Sequence, residues 1–379
     1  MDIGFSEEQE LLRDSARKFL EAECPTSFVR ARMAEPGAVT PEFWAKLAGQ
    51  GWLGILFPEE FGGSGLGMVD LIVLLEEMGR AVMPGPYFST AILGGAAILE
   101  AGSRAQKTEF LPKIAAGELK ATLALAEAEA RWDARGIRLA ARPEGSGWRL
   151  SGEKLFVPDA HLADVIVVAA RTREGSMAED GVSLFLVARG AAGLSIKPLP
   201  TIDETRKSCA VRLAGVALGP EALLGEAGRG WAALARVLDR AVVALSAEMC
   251  GGAERVLMMT TEYAKIRIAF DKPIGSYQGV KHKAADMLVD VENAKSLTYY
   301  AAWALDEGEA EAPLAAAMAK AQASDAARRV AAAGIQLHGG IGMTWEHDLH
   351  LYLKRAKANE IAFGDAAWHR ERAARLANF

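Results

Sequence analysis

Cysteine is scarce in this chain: Cys24, Cys209 and Cys250 are the only three in 379 residues. They lie far apart and in no metal-ligand spacing. Neither a disulfide framework nor a structural zinc site is therefore expected, and the thiols read as buried and reduced. Positive charge is not in excess either. Lysine and arginine total 43 against 49 aspartates and glutamates, a net charge of -6 carried in no blocks. That leaves no basic face for nucleic acid. No apolar run reaches the roughly 20 residues that span a bilayer as a helix; Asp70, Glu76 and Glu77 interrupt the best candidate. The start, Met1-Asp2-Ile3-Gly4, has neither the basic region and apolar core of a secretory leader nor an arginine-rich transit pattern. A cytoplasmic location is the expectation, with a processed matrix protein as the alternative.

What is present is helix-forming sequence in two blocks around a β block. Ser6 followed by Gln9 reads as a capping box, with Leu12, Ala16, Phe19 and Leu20 on one helical face and Pro25 closing the helix. Thr40-Pro41-Glu42 opens another helix with proline at its first position. The loop Gly62 to Gly67 lacks the Lys-Ser/Thr pair and the leading strand of a phosphate loop, so it reads as a tight turn before the helix of Leu74, Leu75 and Met78. Near Ala121 the period changes. Val165–Ala169 and Val182–Val187 are short apolar runs bounded by Gly, Asp and Arg, hence strands; Val211-Arg212-Leu213 and Leu223-Leu224 continue the pattern to about Gly230. From Trp231 onward the chain is helical again. The expected fold is α+β: an N-terminal α-helical domain over 1–120, a middle β-sandwich or barrel-like domain over 121–230, and a C-terminal four-helix-bundle domain over 231–379.

The last third carries Arg267-Ile268-Ala269-Phe270, then Gln278, then Gln336-Leu337-His338-Gly339-Gly340-Ile341-Gly342. An arginine, an aromatic ring, two amides and a glycine run look like a grip for a dinucleotide. On residue chemistry alone, Arg267 would be a solvated helix arginine and Gln278 a cap. Further segments set the context. Phe57-Pro58-Glu59-Glu60-Phe61-Gly62-Gly63-Ser64-Gly65, Glu76-Glu77-Met78-Gly79-Arg80, Arg267 to Ile274 and Gln278 to Met287 occur in order with Gln336 to Gly342. Together they resemble the acyl-CoA dehydrogenase family over nearly the whole chain, except that Asp271 replaces a glycine.

The resemblance implies FAD in each active site, an acyl-CoA thioester as substrate, and a homotetramer or a heterotetramer with a related subunit. It also implies electron transfer to an electron-transfer flavoprotein. By the same resemblance Arg267 would neutralise the FAD pyrophosphate, as a guanidinium suits phosphate oxygens. Phe270 would pack on the cofactor and Gln278 would hydrogen-bond its polar parts. Gln336, Gly339 and Gly340 would come from a neighbouring subunit, the glycines permitting close backbone approach. The flavin ring would lie against Leu125 and Ala126 and against Phe156, Val157 and Pro158.

The chain departs from the family where the chemistry happens. Ala126 stands where a hydroxyl residue is expected, and Pro158 offers neither hydroxyl nor N–H; each lost hydrogen bond is worth roughly 1 kcal/mol net. Phe156 still offers an aromatic face. The family's C-terminal glutamate, which removes the substrate α-proton, aligns with Phe363 in Phe363-Gly364-Asp365, and the alternative position on the earlier helix aligns with Ala241. Asp365 is the nearest carboxylate and the candidate base, provided burial lifts its pKa; as a plain structural residue it would cap the final helix. Glu248 is the second candidate, and its structural alternative is a polar core residue paired with a partner subunit. His347 and His350 flank Asp348 without a third ligand, so no metal is expected, and His161 reads as a loop residue. The expected function is FAD-dependent α,β-dehydrogenation of an acyl-CoA. Two alternatives stand beside it: a partner-dependent subunit of a heteromeric dehydrogenase, or related flavin chemistry of the nitroalkane oxidase or desulfinase kind.

Overall fold

Ser6 caps the first helix as its sequence requires. Its Oγ accepts the Gln9 amide at 3.2 Å while Gln9 Oε1 accepts the Ser6 amide at 3.0 Å, opening α1 (Glu7–Glu23). After Pro25 the chain forms α2 (Thr26–Met33), and Thr40 accepts the Phe43 amide at 3.1 Å to open α3 (Pro41–Gly49). The computed structural model describes residues 4–173, 175, 176 and 178–379; the Met1–Ile3 start, read above for a leader, lies outside the described residues. The Gly62–Gly67 loop leads into α4 (Met68–Arg80), whose N-terminus is taken by the protein's own carboxylate. Asp306, the last residue of α8 (Gln278–Asp306), accepts the Met68 and Val69 amides at 2.7 and 2.9 Å. The helix end that a phosphate would need is filled, which explains the loop as a turn.

The chain divides into two compact units. One comprises residues 32–66 and 84–241. It holds α3, a π-helical stretch Phe88–Gly95 running into α5 (Ala96–Ala101), α6 (Arg104–Ala115) and the sheet. The strands are β1 (Ala121–Ala124), β2 (Ala140–Glu144), β3 (Gly147–Pro158), β4 (Val165–Arg171), β5 (Val182–Ala188), β6 (Leu194–Leu199), β7 (Ser208–Leu218) and β8 (Leu223–Leu224). They follow the order β6-β7-β3-β2-β4-β5-β8, with β1 parallel to β4. Every residue of β4 is buried, as its unbroken apolar run requires, and Leu150, Ile166, Phe185, Val211 and Val216 join one core. β6 was not legible in the sequence because it carries Pro198 and is half exposed; as the sheet's edge it tolerates the missing N–H. Opposite β7, β3 slips register between Lys154 and Val157, which bends the strand where Phe156 stands.

The other unit comprises residues 1–31, 67–83 and 242–379. It holds α1, α4, α7 (Trp231–Ile266) from Val242 onward, α8, α9 (Ala312–His338), α10 (Leu349–Ile361) and α11 (Ala366–Leu376). Alanines line α9, so α8, α10 and α11 all pack against it. Two glycines let α4 and α7 touch backbone to backbone. A Cβ on Gly79 would lie 2.0 Å from the Glu248 carbonyl oxygen, and one on Gly251 would lie 1.9 Å from that of Glu76. The fold is thus α+β, with helical N-terminal and C-terminal parts around a central β-sheet part. The Gly251→Ala substitution should lower unfolding free energy by about 3 kcal/mol, since backbone cannot yield as a side chain would; urea denaturation would check this, and an unchanged midpoint would contradict the contact.

Candidate functional site

In the sheet unit, the segment after β1 and the end of β3 are pinned together by a buried lysine. Lys154 is fully buried, and its Nζ donates to Glu127 Oε1 at 2.6 Å and to the Leu125 carbonyl at 3.0 Å. Glu127 Oε1 also accepts the Arg138 and Leu139 amides, each at 2.9 Å. Burial lowers the Lys154 pKa and the Glu127 charge opposes that. A main-chain bond from the Leu155 amide to the Ala126 carbonyl, 2.8 Å, closes the clip. Of the expected cofactor residues here, Leu125, Ala126 and Val157 are buried and Pro158 is partly so. Phe156 projects outward, 57% exposed, from a backbone with φ of +51°. A non-glycine residue held there marks a segment fixed by its surroundings.

In the helical unit, Arg267, Phe270 and Gln278 are brought together by a two-stranded hairpin, β9 (Ile268–Ala269) with β10 (Lys272–Pro273), between α7 and α8. Its turn residues Phe270 and Asp271 both have positive φ, +52° and +63°, the requirement of a type I′ turn. That explains the family glycine at 271 and why aspartate, which tolerates the left-handed region, can replace it. Tyr277 holds the turn by donating to the Ala269 carbonyl at 2.9 Å. At the end of α9, the His338 ring stacks on Tyr263 of α7 at 4.3 Å, which sets the Gln336–Gly340 segment beside the last turns of α7. Arg267, Phe270, Gln278, Gln336, Gly339 and Gly340 are all exposed, and a Cβ on Gly339 or Gly340 would meet nothing within 4 Å.

The loop 361–365 is held from beneath. Lys320 of α9 is fully buried and donates to Ser324 Oγ at 3.0 Å and to the carbonyls of Glu360 and Gly364, each at 2.9 Å. Burial pulls its pKa down to about 7. His369 Nε2 donates to the Phe363 carbonyl at 3.0 Å. Phe363 is 9% exposed at φ of +57°, and Gly364 sits at +103°. Asp365 is exposed and accepts the Trp368 amide at 2.8 Å, capping α11; it lacks the burial the base role was expected to need. Glu248 is fully buried, and its partner is in its own chain rather than in a neighbouring subunit: Arg355 donates to it at 2.5 Å and Asn359 at 3.3 Å.

The histidines have structural partners. His161 Nε2 lies 2.7 Å from the Pro36 carbonyl, His347 Nδ1 accepts the Leu349 amide, and His350 lies 3.3 Å from Arg30. Among the described residues no group of three His, Cys, Asp or Glu is placed to hold a metal. The cysteines are free and buried. Sequence reading missed Lys154, Lys320 and His369. Their signal was weak: Lys154 shares a segment with Phe156, and Lys320 stands four residues before its acceptor Ser324, but the carbonyls they serve leave no trace in residue identity.

Each unit by itself presents groups that suit part of a flavin dinucleotide. An open aromatic face stands on a pinned loop in one unit. An arginine in no ion pair among the described residues stands beside exposed amides and open glycines in the other.

Two tests follow. Glu127→Leu would strand a buried ammonium and should cost about 3 kcal/mol of stability in denaturant. His369 is buried and its pKa is lowered, chiefly by burial, from 6.5 to about 3. Below pH 6.5 the unfolded chain takes a proton that the folded chain refuses until about pH 3, so stability falls with acidification by up to about 1.4 kcal/mol per pH unit. His369→Gln should flatten that limb when denaturation is compared at pH of about 7 and about 5; an equally steep limb would remove His369 as its source.

Comparison with known proteins agrees over the whole chain. Residues 6–118, 122–215 and 228–377 match the N-terminal, middle and C-terminal domains of acyl-CoA dehydrogenase. The acyl-CoA dehydrogenase IpdE2 of Mycolicibacterium smegmatis is 33% identical over 95% of both chains. Among solved structures, butyryl-CoA dehydrogenase from Megasphaera elsdenii is 27% identical, with a TM-score of 0.92 over all of both chains. A chain of the ChsE4–ChsE5 complex from Mycobacterium tuberculosis is 28% identical, with a TM-score of 0.90 over 100% of this chain and 99% of that one. The chain belongs to the acyl-CoA dehydrogenase family, FAD-dependent oxidoreductases that act on acyl-CoA.

Proposed function

We propose that this chain dehydrogenates an acyl-CoA thioester between its α and β carbons as one subunit of a heterotetramer, with a related subunit supplying the base. The observation that carries the proposal is Phe363. By the resemblance it would stand where the family has its glutamate, and its loop has a left-handed shape that Lys320 and His369 keep. The other carboxylates considered have other work: Asp365 caps α11 and Glu248 is joined to Arg355. Likeness to a complex named for two chains, ChsE4 and ChsE5, supports the heteromeric reading.

FAD, when bound, supplies the hydride acceptor at its N5. Arg267 would neutralise its pyrophosphate, Phe270 would pack on it, and Gln278 and Gln336 would hydrogen-bond its polar atoms. Gly339 and Gly340 would admit the backbone of one subunit against the cofactor of the next. Leu125, Ala126, Phe156, Val157 and Pro158 would face the ring, with Phe156 giving the aromatic plane. Ala126 and Pro158 withhold two hydrogen bonds, a loss of roughly 1 kcal/mol each, so the ring is held more by shape than by polar contacts. An electron-transfer flavoprotein is the proposed electron acceptor.

Restoring the acid tests this. Phe363→Glu in the FAD-loaded chain, without any partner, should raise the rate of anaerobic flavin bleaching by an acyl-CoA at least about 100-fold, the usual contribution of general base catalysis. Asp365→Asn in the same background should change it little. A chain that bleaches at full rate as wild type and loses this in Asp365→Asn would instead assign the base to Asp365.

A further inference from the structure

A groove of about 900 Å³ runs along one side of the sheet unit. Its walls are α6, the start of β4, the end of β5 and the turn Pro220–Ala222 that precedes β8. Phe110, Leu119, Leu186 and Leu218 give it an apolar lining. Every charged residue that lines it is an acid. Glu109, Asp164 and Glu221 are all exposed there, with no lysine, arginine or histidine among the lining residues. Glu109 and Glu221 form no ion pair among the described residues.

The same groove holds an unfinished sheet edge. β5 pairs with β4 along its whole length, but on its other side the ladder to β8 covers only Leu184 and Phe185. Beyond Phe185 the facing chain leaves through the turn Pro220–Ala222, and Pro220 has no N–H to extend the ladder. Gln106 of α6 fixes that turn by donating to the Glu221 and Leu223 carbonyls at 2.8 and 3.0 Å. Over Leu186–Ala188, therefore, β5 has no strand on this side among the described residues, and both Leu186 and Ala188 line the groove. An open edge is a template for a further strand.

We propose that this groove docks an extended segment of a partner protein, one that alternates lysine or arginine with apolar side chains and adds to the open edge of β5. Main-chain hydrogen bonds to an edge hold such a segment in the extended form, and alternate side chains then face opposite ways. One set meets the apolar lining; the other reaches the three carboxylates at the rim. The carboxylates select the charge of the partner and the edge selects its conformation.

The test follows the fluorescence anisotropy of a short fluorescein-labelled peptide, lysine alternating with leucine, as the FAD-loaded full chain is added at low salt. This peptide should bind saturably, and one with glutamate in place of lysine should not. Glu109→Gln together with Glu221→Gln should weaken binding at least about tenfold. Ala105→Trp, which fills the groove without changing its charge, should do the same. All three positions are exposed, so the fold is kept. Methylating the backbone nitrogens of the peptide should weaken binding as much, because an added strand donates those N–H groups. No saturable binding, or equal affinity in wild type and both variants, overturns the proposal. A methylated peptide that binds as tightly as its parent overturns the strand addition. Spermine binding as tightly as the peptide would assign the groove to a small organic cation instead.

Discussion

An ammonium group taken out of water must give its protons to acceptors, and that demand shapes the candidate surface in each unit. Lys154 is fully buried and is met by Glu127 and the Leu125 carbonyl. Lys320 is fully buried and is met by Ser324 and the carbonyls of Glu360 and Gly364. In both cases a loop supplies main-chain oxygens to a side chain below it. The loop's path is then set by the lysine and hardly by the residues at its crest.

That separation of crest from support accounts for how the chain departs from its family. Hydroxyl side chains at 126 and 158 and a carboxylate at 363 can be lost without collapse, because none of them holds its own loop. The left-handed backbone at Phe363, a strain of order 1–3 kcal/mol, persists because Lys320 and His369 fix the carbonyls on either side of Gly364 Cα. On the proposed reading, the chain would retain the scaffold that presents a base and leave the base to a related subunit.

What was legible in the sequence was what is local. The Ser6–Gln9 box, the helix start at Pro41 and the runs of β4 and β5 depend on residues a few positions apart, so periodicity and helix-start chemistry found them. Partnerships across distance were not legible. Glu127 and Lys154 are 27 positions apart, and Glu248 and Arg355 are 107 apart, so the Glu248 partner was sought in another subunit. Asp365 shows a different limit: a carboxylate just before a helix serves equally well as a cap or as a base, and only its exposure and its bond to the Trp368 amide separate the two. The edge strand β6 escaped notice because an edge can carry a proline that a central strand cannot.

The central claim is that this chain holds the flavin and the substrate but not the base. The most direct measurement is anaerobic titration of the wild-type chain, purified alone and loaded with FAD, with a panel of acyl-CoA thioesters while flavin absorbance is followed. The account predicts a protein that binds thioester and stays yellow. Rapid bleaching of the lone wild-type chain by any thioester in the panel would contradict it.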